Sequence, residues 1–238
     1  LFDLPPSKVR VIEPYVGGSF GRHPVTEQIC ALLALRTDRP VRLTLSREEV
    51  FSITHSRVPI ITYLKDGVKK DGSLVARELK LVCNTGAYSG YMPRGVLSFS
   101  QGAVATYRIP NFKLDSYGVY TNELPMMTWR GVGAPQLHWA IESQMDIIAG
   151  KLGIDPVELR KRNILNEGEK NVIGETTHSI GVRECLDKVA EFIEWDKPSE
   201  KDAGPWRRGK GIAAGGRYGQ GGAADCVHIK VHEDGTIE

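Results

Sequence analysis

The hydrophobic positions of this chain follow a helical period in four stretches. The strongest covers residues 136–150. Its predicted buried face carries Leu137, Ile141, Met145 and Ile148. The other predicted helices begin at Pro24, Asp155 and Val182. At Asp155, the aspartate suits an N-cap, a proline follows at the first helical position, and the next glutamate is placed to close a capping box.

Short apolar runs and alternating apolar and polar residues predict short strands. In chain order they are Val9–Ile12, 41–46, 58–64, 74–83 and the two arms of a hairpin at roughly 210–232. The third and fourth are expected to pair, with Asp66-Gly67 and Asp71-Gly72 as turn residues between them. The residues that share one face of the fourth strand are Val75, Leu79, Leu81 and Cys83. Residues 84–112 show no clear period and are predicted to form a long loop.

Strands and helices are mixed along the chain without a strict alternation of βαβ units. This order favours an α+β fold, with two layers of mixed sheet and packed helices, over a doubly wound parallel sheet. A length of 238 residues suits one large domain or two small ones. We treat residues 1–238 as one domain and expect any internal boundary near residues 198–209.

Composition places the chain among ordinary globular proteins, since 41% of the residues are hydrophobic and 25% are charged. A formal net charge of +2 and the lack of a long apolar run predict neither nucleic acid nor a membrane as partner. The cysteines at positions 30, 83, 185 and 226 form no Cys-x-x-Cys pair, so no iron–sulfur or structural zinc site is expected in this chain. A reduced, cytoplasmic protein is expected.

Both ends of the sequence suggest a piece of a longer polypeptide. Leu1 is not an initiator methionine, and no signal peptide follows it. At the other end, residues 233–236 predict a tight turn, and the sequence stops where a return strand is expected to begin. We therefore expect part of any binding site to come from residues outside this sequence.

Two glycine-rich loops, each followed by a predicted helix, carry the candidate chemistry. The first is Gly-Gly-Ser-Phe-Gly at 17–21, and the second, residues 129–136, contains Arg130 and two glycines. Glycine lets the backbone approach a ligand closely, and a helix N-terminus favours an anionic group. The arginine adds a rigid fork of hydrogen-bond donors. If the loops converge, they form a two-sided cradle for a large polar cofactor; otherwise each is a tight structural connection.

These loops and two further segments resemble the molybdenum-binding subunit of the xanthine dehydrogenase and aldehyde oxidase family, the molybdenum hydroxylases. The matching segments are the Gly-Gly-Ser-Phe-Gly loop, Tyr-Arg-Ile-Pro-Asn at 107–111, Arg-Gly-Val-Gly-Ala-Pro-Gln at 130–136 and the Leu-Gly-Ile-Asp-Pro-Val-Glu-Leu-Arg-Lys-Arg-Asn run at 152–163. Their order and intervals agree with the family from about residue 7 to the end. The resemblance implies the first part of a molybdopterin-binding domain.

The resemblance further implies a molybdopterin cofactor, alone or as the cytosine dinucleotide, that holds molybdenum through two dithiolene sulfurs. The residues expected to bind this cofactor are Gly18, Ser19, Phe20, Gly21, Arg130, Gly131, Gly133 and Ala134. No side chain of the chain is expected to ligate the metal. In such enzymes water supplies the oxygen that hydroxylates a carbon. Electrons then leave through iron–sulfur clusters to a flavin (FAD), which partner domains or subunits supply.

The catalytic base of the family is a glutamate in a Gly-Glu-Pro context, far C-terminal to these motifs. No such motif occurs here, so no catalytic residue is assigned and the chain alone is expected to be inactive. The remainder of its own chain is an expected partner. Gly219-Gln220-Gly221 resembles a third cofactor loop of the family, but it precedes a predicted strand, one strand too early, and is interpreted as a turn.

Three positions bear on the small-molecule substrate: Val132, Pro24 and Arg94. Purine-oxidising relatives place a phenylalanine where Val132 stands and a glutamate where Pro24 stands, so xanthine is not the expected substrate. Relatives that oxidise carbon monoxide place a copper-binding cysteine where Gly131 stands, which disfavours that reaction. An aldehyde or an N-heterocyclic compound remains. Arg94 lies in the long loop, where related enzymes contact their substrates.

Two other functions stay open. A non-catalytic binding or assembly module would keep the fold without the chemistry, and the residues at 132 and 24 are changes that such a relative would show. A phosphate- or nucleotide-binding protein would use the first loop alone, which leaves residues 130–136 unexplained. The presence of the Gly-Glu-Pro glutamate in the parent chain discriminates the enzyme from the module.

Overall fold

The structure is a computed structural model that describes residues 2–12, 14–15, 17–21, 26–88, 106–198, 204–216 and 231–236. After a 3-10 turn at Pro6–Lys8, the helices are α1 (Thr26–Thr37), α2 (Arg47–Ile53), α3 (Ala134–Leu152), α4 (Pro156–Asn163) and α5 (Val182–Phe192). The strands are β1 (Ser56–Arg57), β2 (Ile60–Val68), β3 (Leu74–Gly86), β4 (Asn111–Tyr120) and β5 (Met126–Met127). This mixture of helices and sheets confirms the α+β class.

Three strands form a mixed sheet in the order β2-β3-β4. β2 and β3 are antiparallel, whereas β3 and β4 are parallel. The predicted pairing of the strands at 58–64 and 74–83 is therefore confirmed. The turn between them uses Asp71-Gly72, as predicted, but Asp66-Gly67 lies within β2, next to a shift of register at Val68. A separate parallel pair joins β1 to β5, with Ser56 opposite Met126.

The hydrophobic core lies where β3 and α3 bring their apolar faces together. Buried side chains from the two elements are Leu79, Leu81 and Cys83 on β3, and Leu137, Ile141, Met145 and Ile148 on α3. Both predicted faces are confirmed, although Val75 is only half-buried. Arg77 also points inward from β3 and pairs with Asp66 at 2.7 Å, with neither side chain exposed.

A buried carboxylate, Glu142 on α3, joins three separate parts of the chain. Its Oε2 accepts hydrogen bonds from Arg160 Nε at 2.7 Å and from the Ala214 N–H at 2.8 Å. Its Oε1 accepts one from the Tyr107 hydroxyl at 2.7 Å. Burial, followed by the charge of Glu142, raises the pKa of Tyr107, so the phenol stays protonated and continues to donate. Residues 204–216 are thereby tied to the core.

Two predicted strands do not form. Val9–Ile12 is not a strand, and Val11 and Ile12 are 86% and 70% exposed. Residues 41–46 are likewise irregular. The first stretch is a short apolar run and the second alternates, but a strand also needs a neighbour to accept and donate its backbone hydrogen bonds. Neither has such a neighbour within the described residues.

The predicted loop at 84–112 is wrong at both ends. β3 continues to Gly86, and β4 begins at Asn111, while residues 89–105 lie outside the described part. A signal for β4 was present, because Phe112 and Leu114 alternate with charged residues.

The helix starts agree more closely with prediction. Asp155 caps α4, where its carboxylate accepts from the N–H groups of Val157 and Glu158 at 2.8 and 3.2 Å. The carboxylate of Glu158 accepts from Lys161 Nζ at 3.2 Å instead of closing a box. A full capping box occurs at α2, between Ser46 and Glu49, where none was predicted.

The last predicted features are described only in part. Residues 204–216 contain no strand, and residues 217–230, which would supply most of the hairpin, lie outside the described part. The tight turn forms, with the N–H of Gly235 donating to His232 O at 2.9 Å. The internal boundary near residues 198–209 stays a prediction.

Candidate functional site

The two glycine-rich loops contact each other directly. The N–H of Arg130 donates to Phe20 O at 2.7 Å, and the Arg130 guanidinium lies 5.7 Å from the centroid of the Phe20 ring. Gly21 comes so close to the chain before Arg130 that a β-carbon there would lie 2.9 Å from Thr128 O. Only glycine fits this contact. The loops therefore converge, as a two-sided cradle requires.

The backbone of both loops adopts left-handed conformations. Positive φ angles occur at Gly18 (63°), Phe20 (55°) and Gly21 (98°), and again at Gly131 (94°), Val132 (38°) and Gly133 (79°). For Phe20 and Val132 this conformation is unfavourable, and such residues persist only where the surroundings hold them. A β-carbon at Gly131 would lie 2.7 Å from Pro135 Cδ, so a side chain does not fit there either.

His55, which directly precedes β1, supports the first loop. Its Nε2 lies 3.1 Å from Gly21 O, and its ring meets Trp129 edge-on with 6.2 Å between ring centroids. A carbonyl oxygen can only accept, so Nε2 of His55 carries the proton in this contact. His55 is buried and lies 34 residues from Gly21 in the sequence. No local sequence pattern marked it as part of the site.

Arg57, on β1, supports the second loop. Its Nη2 donates to Arg130 O at 2.9 Å, and its Nη1 lies 3.5 Å from Gln136 Oε1. Gln136 in turn donates from Nε2 to Val58 O at 2.9 Å. Sequence reasoning missed Arg57 because its partner Arg130 is 73 residues away. The segment 55–58 thus holds both loops.

Hydrogen-bond donors remain available in both loops. The backbone N–H groups of Gly18, Ser19, Phe20, Gly21 and Gly131 donate to no acceptor among the residues that the structure describes. The exposed guanidinium of Arg130 also has no hydrogen-bonding acceptor within that part of the chain. Within the described ranges, the cradle therefore has five N–H groups and one cation without a protein acceptor, which suits a ligand rich in acceptors and negative charge.

Other predicted site residues have different surroundings. Ala134 is buried as the first residue of α3, and its N–H donates to Gly131 O at 3.0 Å. Val132 is half-buried and packs against the hydrophobic core. Pro24, Arg94 and the Gly-Gln-Gly segment at 219–221 lie outside the described residues.

A depression of about 340 Å³ adjoins the loops and is bordered by Phe51, His55, Arg57 and Trp129, among others. Another of about 630 Å³ lies between α4 and α5, away from the loops, and its lining includes Lys161, which is ion-paired with Glu158 and Asp187. Within the described ranges, no three His, Cys, Asp or Glu side chains are grouped to hold a metal ion. None of the described helices is long and apolar enough to span a membrane.

Known proteins resemble this chain over most of its length. Residues 1–164 match the family described as the molybdopterin cofactor-binding domain. Over 99% of its length, the chain is 37% identical to the putative xanthine dehydrogenase molybdenum-binding subunit XdhA of Escherichia coli K12, and it covers 33% of that protein. It is also 37% identical, over 79% of its length, to the nicotinate dehydrogenase large molybdopterin subunit of Eubacterium barkeri, covering 45% of it.

Solved structures agree with these matches. The aldehyde oxidoreductase from Desulfovibrio gigas superposes with a TM-score of 0.71 and 33% identity, over 75% of this chain and 20% of that one. Quinoline 2-oxidoreductase from Pseudomonas putida 86 gives a TM-score of 0.69 at 25% identity, over 77% of this chain and 24% of that one. The chain spans less than half the length of these relatives. It belongs to the molybdopterin cofactor-binding domain family, and its relatives are the molybdenum-binding subunits of xanthine dehydrogenases and aldehyde oxidoreductases.

Proposed function

We propose that this chain forms one part of the molybdopterin site of a molybdenum hydroxylase. The enzyme would use water to hydroxylate an aldehyde or a carbon of an N-heterocycle. The observation that carries the proposal is the contact between the two glycine-rich loops, through the hydrogen bond from Arg130 N–H to Phe20 O at 2.7 Å. This contact makes one surface out of the two segments that the family resemblance assigns to the cofactor.

The residues present fit such a cofactor. A pterin with its phosphate carries many hydrogen-bond acceptors, and the loops offer backbone N–H groups that are not used within the described chain. A side chain is excluded at Gly21 by Thr128 O and at Gly131 by Pro135 Cδ, so these two glycines let the loops pack closely enough to form one surface. Arg130 adds a positive charge beside them.

When bound, the molybdenum–pterin group would supply the redox chemistry, and this chain would bind and orient it. Gly18, Ser19, Phe20 and Gly21 would contact it from one side, and Arg130, Gly131 and Gly133 from the other. Ala134 would act through its hydrogen bond to Gly131 O, which shapes the second loop. The cofactor would be molybdopterin, alone or as the cytosine dinucleotide.

The substrate class is supported by the names of relatives. One relative is a nicotinate dehydrogenase, and two structural neighbours are an aldehyde oxidoreductase and a quinoline 2-oxidoreductase. Val132, with Pro24 and Arg94, remains the position that we assign to the substrate side. Because other relatives are named xanthine dehydrogenases, xanthine is the informative competitor. We expect the full-length enzyme to oxidise xanthine far more slowly than its best aldehyde or N-heterocycle.

The remaining parts of the reaction would come from elsewhere. We expect the glutamate base from another part of the parent chain, and iron–sulfur and FAD groups from partner domains or subunits. We place the assembled enzyme in the cytoplasm.

Molybdenum content tests the proposal. The full-length protein is purified with its natural partners, and molybdenum per chain is measured by elemental mass spectrometry. Close to one metal per chain is expected. No molybdenum, in cells that load another molybdenum hydroxylase, would contradict the proposal and favour a non-catalytic module with the same fold.

A further inference from the structure

We infer that Arg57 is a positioning residue for the cofactor cradle. By holding the carbonyl of Arg130, it turns the N–H of Gly131 toward the open side of the loop, where that N–H can donate to a bound cofactor. This inference rests on the proposed function, but its structural part concerns one peptide unit and can be tested without any cofactor.

A single peptide unit joins Arg130 to Gly131 and carries both groups, the C=O of Arg130 and the N–H of Gly131. No described peptide bond is cis, and in a trans peptide the C=O and N–H point in opposite directions. Arg57 Nη2 donates to the oxygen of this unit at 2.9 Å. The N–H of Gly131 therefore points away from Arg57, and it meets no acceptor within the described residues.

The same geometry applies to the first loop. Phe20 O accepts from the N–H of Arg130 at 2.7 Å, so the N–H of Gly21, in the same peptide unit, points away from Arg130. His55 fixes the next carbonyl, Gly21 O, at 3.1 Å. The carbonyls of Phe20, Gly21 and Arg130 are thus occupied by donors from the second loop and from residues 55–58. The N–H groups of Gly21 and Gly131 are left for a ligand.

Without Arg57, the peptide unit after Arg130 would be free to turn over. Gly131 has a φ of 94°, and glycine adopts positive and negative φ with similar ease, so rotation of this unit meets little steric resistance. Arg57 is itself held in place. Its other nitrogen lies 3.5 Å from Gln136 Oε1, and Gln136 is anchored to Val58 O. A guanidinium can reach both oxygens with a rigid fork, whereas a lysine ammonium can replace only one of the two contacts.

The first test uses hydrogen exchange in the cofactor-free, full-length protein. Exchange is measured by mass spectrometry on the peptide that covers residues 129–137. In Arg57→Ala we expect about tenfold faster exchange of this peptide. Loss of the charged donor to Arg130 O lets the loop open, and opening exposes the hydrogen-bonded N–H groups of Arg130 and Ala134 to exchange. Arg57→Lys should lie between wild type and alanine. Arg39→Ala, an exposed arginine on the nearby connection before α2, is the control and should match wild type.

The second test measures cofactor retention. Loaded enzyme is diluted, and released pterin is quantified by its fluorescence after oxidation. Arg57→Ala should release the pterin about tenfold faster than wild type and Arg39→Ala, since the preorganised donors are lost. Gln136→Ala removes only the side chain that holds the Arg57 guanidinium in place, so it should also speed pterin release, but by a smaller factor.

Three outcomes would overturn the inference. Unchanged exchange at 129–137 in Arg57→Ala would show that Arg57 does not position this peptide unit. Equally faster exchange in β2 and β3 would show that the variant loses stability throughout and not only at the loop. If the alanine variant does not fold, the exchange of Arg57→Lys at residues 129–137 decides by the same criterion. Faster local exchange with normal pterin release would show that the turned N–H does not serve the cofactor. A wild-type protein without pterin would contradict the proposed function alone, and the exchange result would still decide the structural part.

Discussion

Each loop of the cradle is followed by a helix, and the two helices differ in how deeply they are buried. Helix α3, which follows the second loop, buries seven residues, and Leu137 and Met145 have no exposed surface. Helix α1, which follows the first loop, buries none, and its leucines and isoleucine are all more than 40% exposed in the described structure. The second loop is therefore positioned by a packed core. The first is positioned chiefly by contacts from Arg130 and His55.

This contrast indicates where the geometry of the site is robust and where it is sensitive. A change in the core should lower the stability of the whole unit, whereas a change near α1 should leave the unit folded. A change at the contact between the loops should disturb the cradle with little effect on the core.

The largest loss of stability is expected from Glu142→Ala. Removing the carboxylate takes away the buried acidic partner of Arg160, which then keeps only the half-exposed Asp146 as an ion-pair partner among the described residues. It also leaves the Tyr107 hydroxyl and the Ala214 N–H without their acceptor. Breaking a buried ion pair from one side costs about 3–5 kcal/mol. Urea titration of the full-length protein, followed by hydrogen exchange of peptides from α3, measures the loss. Glu184→Ala, on the exposed face of α5, is the control and should change stability by less than about 0.5 kcal/mol.

A leucine-to-alanine pair compares the two helices directly. Leu137→Ala on α3 creates a cavity in the core and should lower the free energy of unfolding by about 2–5 kcal/mol. Leu33→Ala on α1 removes a side chain that is 44% exposed and should cost less than about 1 kcal/mol. The same exchange measurement reports both values. Equal losses would show that α1 is as well packed as α3 and would remove the contrast.

Cysteine labelling gives the smallest perturbation, because it changes no residue. Burial raises the pKa of Cys83 to about 11, so at pH 8 its thiol is protonated as well as inaccessible on β3. Cys30, on α1, is half-buried. Iodoacetamide should therefore label Cys30 at least about 100-fold faster than Cys83 in the folded protein, as read from peptide masses.

The pH dependence of this labelling follows from the raised pKa of Cys83. Between pH 7 and 9 the pH stays below the raised pKa of Cys83, so its thiol stays protonated and its labelling should stay slow until the protein is unfolded in urea. Labelling of Cys83 at the rate of Cys30 in the native protein would contradict the burial of Cys83 in the core.

The core could be predicted from sequence because its pattern is local. The spacing of Leu137, Ile141 and Met145 predicts a buried helical face, and alternation on β3 predicts the other half of the core. The strands predicted at Val9–Ile12 and 41–46 were wrong, because a local apolar pattern does not supply the neighbouring strand that pairing needs.

The site could be predicted only as two separate loops. Glycine content and the following helices marked residues 17–21 and 129–136, but their contact depends on distant partners. His55 and Arg57 are not marked by any periodicity or motif, since each acts through a backbone carbonyl that any residue could provide. Contacts to backbone oxygens leave no signature in a single sequence.

The most direct test of the cradle compares two glycines of the first loop. Gly21 has a φ of 98° and a β-carbon there would lie 2.9 Å from Thr128 O, whereas at Gly17 nothing lies within 4 Å. A strained residue costs about 1–3 kcal/mol, which corresponds to a factor of about 5 to 150 in an equilibrium constant. Molybdenum per chain is measured in full-length Gly21→Ala and Gly17→Ala proteins purified with their partners. We predict that Gly17→Ala keeps the wild-type content and Gly21→Ala loses most of it. Full molybdenum in Gly21→Ala would contradict the claim that the contact between the two loops forms the cofactor site.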